Sequence, residues 1–114
     1  MSTFIFDMDG TLVGNKEIDP IAAKKVLKRL QRWGHTVVLW TSASTLAKAW
    51  KAEGCASEVW IKGDGWSKFP TLSDCFVFDD DQRILDAIGR AYPNCRPIRA
   101  TALKQWLADW EMGG

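Results

Sequence analysis

The chain is predicted to form an α/β domain built on a parallel sheet of about five strands. Three observations lead there. Short β-rich runs alternate with helical patterns through all 114 residues. The runs are continuously apolar, as strands covered on both faces must be. Polar residues suited to chemistry follow directly after the runs, on the edge where open parallel sheets hold their ligands.

The elements justify this in order. TFIFD (3–7) is an aromatic and branched run that reads as a central strand. Residues 19–33 place Ala23, Val26, Leu27, Leu30 and Trp33 on one helical face, opened by Asp19-Pro20 and stopped by Gly34. TVVLWT (36–41) is a second buried strand, and Leu46, Ala47 and Trp50 stripe a helix that Gly54 closes. EVWIK (58–62) and CFVFD (75–79) are the third and fourth strands, and Ile84, Leu85 and Ile88 mark the helix that follows. CRPIRA is a weaker fifth strand, placed at an edge because Pro97 has no amide to donate. The last helix carries Leu103, Trp106, Leu107 and Trp110 at i, i+3, i+4 and i+7, with Thr101 as its expected cap. Right-handed crossovers then give a three-layer Rossmann-like sheet in the order 3-2-1-4-5, one domain over residues 1–114.

Composition limits the partners. Fifteen Lys and Arg against 14 Asp and Glu leave a net charge of +1, so no basic field calls for nucleic acid. No basic segment leading into an apolar one stands at the N-terminus, and no apolar run approaches the length of a membrane span. Cys55, Cys75 and Cys95 form no CxxC pair, which disfavours a disulfide framework or a zinc site; reduced thiols and a cytoplasmic location are expected. Their even spacing of 20 residues reads as coincidence, because the flanking residues share nothing.

The strand ends carry the functional signal: Asp7 and Asp9 after the first strand, Thr41 and Ser42 after the second, Lys62 after the third, and Asp79, Asp80 and Asp81 after the fourth. Carboxylates gathered in one crevice repel unless a cation compensates. Hard oxygen ligands with room for water and a substrate phosphate suit Mg²⁺. A calcium-binding EF-hand loop is excluded, since Gly10 falls fourth from Asp7 and Ile18 twelfth. Gly10 and Thr11 also suit a tight turn out of a strand, Ser42 a helix cap, Asp81 a helix N-terminus, and His35 a turn remote from the crevice. Six of the seven tryptophans are assigned to the core; Trp66, in the loop KGDGWSK, is a candidate for substrate contact.

FDMDGT, VVLWTS, a downstream lysine and FVFDDD, in this order and each at a strand end, resemble the four motifs of the haloacid dehalogenase superfamily of phosphohydrolases. The resemblance implies Asp7 as nucleophile forming an aspartyl-phosphate and Asp9 as general acid/base, whose carbonyl also ligates Mg²⁺. It further implies Thr41 as a phosphoryl hydrogen-bond donor, a lysine as charge screen, and Asp79 with Asp80 as metal ligands. Gly10, Thr11, Ser42 and Trp66 complete the substrate side. The gaps between motifs leave no room for a cap domain, so the site is expected to be open, covered by a macromolecular substrate, a partner subunit or a second copy of the chain. The activity expected is hydrolysis of a phosphomonoester, on a small molecule or a macromolecular end. A phosphotransferase or mutase of the same superfamily, and a non-catalytic phosphate-sensing module, are the alternatives. For the lysine, Lys68 is preferred over Lys62, because the third strand lies two strands from Asp7 in the expected order.

Overall fold

Strand-forming and helix-forming segments fall where the apolar periodicity places them. The computed structural model describes residues 2–63 and 74–112. The order is β1 (Thr3–Phe6), α1 (Pro20–Arg32), β2 (Thr36–Thr41), α2 (Ser44–Ala52), β3 (Glu58–Ile61), β4 (Cys75–Asp79), α3 (Gln82–Ala91), β5 (Cys95–Arg99), a 3₁₀ turn (Ala100–Ala102) and α4 (Leu103–Met112). The five strands form one parallel sheet in the expected order β3-β2-β1-β4-β5, without a cap domain. No helix among the described residues is long and apolar enough to cross a membrane.

Alternation along β1 sorts the core into two layers. Phe4 and Phe6 face the layer of α1, α2 and α4, with Val37, Leu39, Phe78, Leu27, Trp50 and Leu103. Ile5 faces the opposite layer with Val77, Trp40 and Trp60, where α3 contributes Leu85 and Ile88. Phe6 stacks on Phe78 with ring centroids 4.7 Å apart, and Trp106 meets Phe78 edge-on at 5.5 Å. These aromatic contacts bind the two central strands to α4.

Local chemistry sets the helix ends. Asp19 caps α1 by accepting from the Ile21 amide, with Pro20 as first helical residue. At its other end Gly34 takes φ +92°, and the His35 amide returns to the Leu30 carbonyl, the closure that a left-handed residue permits. His35 accepts from the Ser2 amide through Nδ1 and packs against Phe4, a structural post away from the crevice.

Four expectations need correction. Trp33 is 41% exposed, because α1 has already ended and the ring lies beside Arg29 at 6.0 Å instead of entering the core. Leu46 is 44% exposed, one position off the face that buries Ala47 and Trp50. Thr101 does not cap α4; it lies exposed inside the preceding 3₁₀ turn. Finally, Cys75 and Cys95 are joined as a disulfide, with Cα atoms 4.7 Å apart. They are register partners on β4 and β5, so for this pair the 20-residue spacing is the length of one strand-helix-strand unit. Cys55 stays a free, buried thiol, its pKa pushed up by burial.

The two tryptophans of the α1/α2 layer should therefore behave differently. Trp50→Ala is expected to destabilise by about 3–5 kcal/mol, the range for emptying a buried aromatic site. Trp33→Ala should lose about 1 kcal/mol or less, the worth of an exposed cation–π contact. Urea unfolding midpoints of the two variants check this, and equal losses would put Trp33 back in the core.

Candidate functional site

The carboxyl edge of the sheet carries the site. Asp7 follows β1 directly and its amide continues the ladder to the Phe78 carbonyl at 2.9 Å, so its backbone is fixed by β4. Asp79 ends β4. Both side chains are buried, Asp7 at 5% exposure and Asp79 at 0%. Burying two carboxylates on neighbouring strands is costly unless each charge finds partners.

Lys62 supplies most of the partnership. Its Nζ lies 3.0 Å from Asp7 Oδ1 and 3.0 Å from Asp79 Oδ2. The ammonium also stands 5.1 Å from the centroid of the Trp40 ring. This corrects the sequence reading, which held Lys62 too far from Asp7. β3 is two strands away in the sheet, but Lys62 stands just past its end, and the side chain crosses the Trp40 ring to the central strands. Lys68, the preferred candidate, and Trp66 lie outside the described residues.

The other oxygen of each carboxylate is held locally. Thr11 donates through Oγ1 to Asp7 Oδ2 at 3.4 Å, and the Asp81 amide donates to Asp79 Oδ1 at 2.9 Å. Asp80 brings a third carboxylate: one oxygen from each of Asp7, Asp79 and Asp80 can be chosen so that all lie within 4.8 Å of one another. Asp80 is exposed, the other two buried. Asp81 stands outside this set; it caps α3 by accepting from the Arg83 amide, and that bond with the Arg83 guanidinium holds its carboxyl below the usual range.

The turn after β1 is tightly wound. The amides of Thr11, Leu12 and Val13 all point to the Met8 carbonyl, at 3.2, 3.0 and 3.0 Å, and the Gly10 amide donates to the Val13 carbonyl at 2.7 Å. Met8 and Leu12 anchor the turn in the core at 1% and 0% exposure. Gly10 has φ +81°, a left-handed conformation that calls for glycine, and a Cβ there would displace the exposed Asp80 carboxylate. Asp9 sits on the exposed side of this turn, and its side chain makes no hydrogen bond or ion pair among the described residues.

Two further candidates are placed less directly. Thr41 ends β2 and is buried, but its hydroxyl bonds the Ala43 amide and carbonyl, both at 3.1 Å, tying the turn into α2. Ser42 is exposed and is not the helix cap; Ala43 takes that position, with no side-chain cap bond.

Burial, then the charge of Asp79, pushes the Asp7 carboxyl up to about 7, and Lys62 pulls only partly against this. Burial likewise raises Asp79 against the Asp81 amide and Lys62. For Lys62, burial alone would lower the pKa, but the bonds and charges of Asp79 and Asp7 outweigh it and raise the ammonium above the ordinary lysine value. Among the described residues one ammonium thus serves two buried carboxylates that, near neutral pH, resist full ionisation together. A divalent cation held by Asp7, Asp79 and Asp80 would remove that resistance, and an all-oxygen donor set of this kind fits Mg²⁺.

An open cleft of about 560 Å³ adjoins the cluster and shares Gly10 and Asp80 with it. Lys16 and Arg99 on its walls were missed in the sequence. The signal for Arg99 was available: it ends β5, and the same rule that selected Asp7 and Asp79 from their strand ends applies to it.

No family model matches this chain, and no curated protein matches it. Among solved structures it aligns with that of MT0777 at 11% identity and a TM-score of 0.44, over 99% of this chain and 98% of that one. A likeness of this level carries no argument about function.

The raised Asp7 carboxyl sets a pH dependence. Its folded pKa of about 7 exceeds the ordinary aspartate value of 3.8, so the folded state binds this proton more tightly. The contribution is full below about pH 4 and lost as pH rises towards 7. In EDTA, the melting temperature of the wild type relative to Asp7→Asn is therefore expected to fall between pH 4.5 and pH 7.5. A difference that rises over this interval would contradict the burial and crowding of Asp7.

Proposed function

We propose that the chain is a capless phosphomonoesterase of the haloacid dehalogenase superfamily that depends on Mg²⁺ and works through an aspartyl-phosphate. The observation that carries this reading is the pair of buried carboxylates on adjacent strand ends, bridged by one lysine and joined by a third carboxylate. The motif resemblance of FDMDGT and FVFDDD assigns chemistry to those same positions.

In this reading an Asp7 oxygen attacks phosphorus; the new O–P bond forms as the bond to the leaving oxygen breaks, and the Asp9 carboxyl gives its proton to that oxygen. Water then attacks the aspartyl-phosphate with its proton passing to Asp9, the Asp7 O–P bond breaks, and inorganic phosphate leaves. The exposure of Asp9 beside a buried nucleophile suits a group that exchanges protons with water and leaving group. Lys62 directs positive charge to the phosphoryl oxygens from a fixed position, and Thr11 orients the Asp7 carboxylate. Asp7, Asp79, Asp80 and the Asp9 carbonyl would hold Mg²⁺, which when bound supplies charge neutralisation for carboxylates and phosphate. Hydrolysis is favoured over transfer to a second alcohol because the cleft stands open to water.

The expected outcomes are these. The protein turns over p-nitrophenyl phosphate with Mg²⁺, and Asp7→Asn abolishes turnover along with the phosphoenzyme trapped by acid quench. Asp9→Asn slows the reaction by about 10² to 10⁴, the usual loss for an acid/base. Lys62→Met lowers kcat/KM by about 10² or more, as for a removed electrostatic donor, and Lys68→Met does less. Phosphoenzyme at the wild-type level in Asp7→Asn would refute the nucleophile.

Mg²⁺ at 100 times its Kd should stabilise the fold by about 2.7 kcal/mol, the linkage value for binding to the folded form alone. Asp79→Ala should remove most of that shift. A melting temperature indifferent to both Mg²⁺ and EDTA would exclude the metal site.

A further inference from the structure

The cleft beside the carboxylates contains cationic groups that the proposed chemistry does not use. It runs from Gly10 and Asp80, at the edge of the cluster, to Lys16 and Glu17 on one wall and Gln82 and Arg99 on another. Its volume of about 560 Å³ lies within the range of roughly 300–1,000 Å³ typical of small-molecule sites. Glu17 and Asp80 are its acidic members, and Asp80 is already committed to the carboxylate cluster.

Arg99 is displayed from a defined base. It is the register partner of Asp79 across β4 and β5, so the two strand ends deliver it to the rim of the site. Gln82 donates through Nε2 to Asp86 at 2.7 Å, which leaves its amide oxygen to accept from Arg99 Nε. With Nε so engaged, the two terminal nitrogens make no hydrogen bond or ion pair among the described residues. A guanidinium held at Nε presents a fork suited to two oxygens of a carboxylate or phosphate. Across the cleft, Asn15 stiffens the loop that carries Lys16: its Nδ2 donates to the Thr11 carbonyl at 3.3 Å and its Oδ1 accepts from the Glu17 amide at 3.1 Å. Lys16 also makes no ion pair among the described residues.

Resting on the phosphatase reading above, we infer that this cleft is the leaving-group subsite and that Arg99, assisted by Lys16, selects small phosphomonoesters whose leaving group carries a second anion, a carboxylate or a phosphate. The transferred phosphoryl group then lies at Asp7, and the leaving group extends past Gly10 and Asp80 towards the guanidinium. A leaving group without charge fills the same cleft but leaves the guanidinium fork unmatched.

The test compares kcat/KM, with Mg²⁺ present, for ethyl phosphate, 2-carboxyethyl phosphate, propane-1,3-diol bisphosphate and a 5′-phosphorylated oligonucleotide. The wild type is expected to favour the carboxylate or bisphosphate ester over ethyl phosphate by roughly 10- to 100-fold, the worth of a hydrogen bond to a charged group. The two charged esters separate carboxylate from phosphate as the preferred second anion. In Arg99→Met the ratio should collapse towards one; Arg99→Lys should restore only part of it, because an ammonium lacks the fork. Lys16→Met should reduce the ratio less than Arg99→Met. Circular dichroism melting confirms that each variant is folded. A wild-type ratio near one, a ratio unchanged in Arg99→Met, or an oligonucleotide preferred over all small esters each overturns the inference while leaving the phosphatase reading intact. Failure of the wild type to hydrolyse any ester is a different result; it removes the phosphatase reading, and this inference with it.

Discussion

Two carboxylates buried side by side at the ends of β1 and β4 share the Lys62 ammonium, which among the described residues is the one cation that reaches them, and much of the local architecture is arranged around that pairing. Removing ionised carboxylates from water costs several kcal/mol each unless geometry and hydrogen bonds compensate. Asp79 is compensated at both oxygens, by Lys62 and by the Asp81 amide that opens α3. Among the described residues Asp7 has Lys62 on one oxygen and the long Thr11 bond on the other. The deficit is thus concentrated on Asp7, whose carboxyl is displaced to about 7. A group in that state has affinity for any cation that can approach it, which links the electrostatics of the fold to the metal-assisted chemistry proposed for it. The same arrangement gives Trp40 a role beyond packing: its ring, buried in the layer below, lies along the path by which Lys62 reaches the central strands.

Most of the fold was legible because its determinants are periodic and local. Continuous apolar runs define the strands, and a right-handed crossover leaves few ways to order them. The errors occurred where a one-dimensional pattern meets a three-dimensional boundary. Trp33 and Leu46 satisfy helical spacing, but spacing cannot tell that α1 stops at Arg32 or how wide the buried stripe of α2 is. Cys75 and Cys95 were expected as reduced thiols because the three cysteines form no CxxC pair, and their even spacing was set aside because the flanks differ. In a parallel sheet what matters is register, and one strand-helix-strand unit returns the chain to the same level on the neighbouring strand.

For the site, residues defined by backbone position were easier to identify than residues defined by reach. Asp7, Asp79 and Gly10 were visible because a strand end or a tight turn fixes them. Asp81 at a helix N-terminus was visible for the same reason, and the structure makes it the cap. Lys62 was undervalued because distance was counted in strands, whereas a lysine acts at the end of a four-carbon stem. Thr41 shows the converse: the strand places it correctly, yet the hydroxyl is engaged by the backbone of Ala43 in a local turn that propensity alone cannot distinguish from a ligand contact. Arg99 went unnoticed since β5 reads as a weak edge strand.

The contact between Gly10 and Asp80 carries a mechanical consequence. The turn after β1 holds the nucleophile candidate and the turn after β4 holds the third carboxylate; the Asp80 side chain occupies the space that a Cβ at residue 10 would need. The two turns therefore lie against each other, through a glycine on one and the exposed Asp80 carboxylate on the other. Because Met8 and Leu12 fix the first turn in the core and the Asp79–Asp81 bond fixes the second, neither can shift alone without loss of packing or hydrogen bonding. Electrostatic catalysis depends on charges already in place when the transition state forms, so that no energy goes into reorganising them at that moment. In the proposed reading that preorganisation would come from two adjoining turns supported by one sheet, with the open cleft beyond them available to the variable part of a substrate.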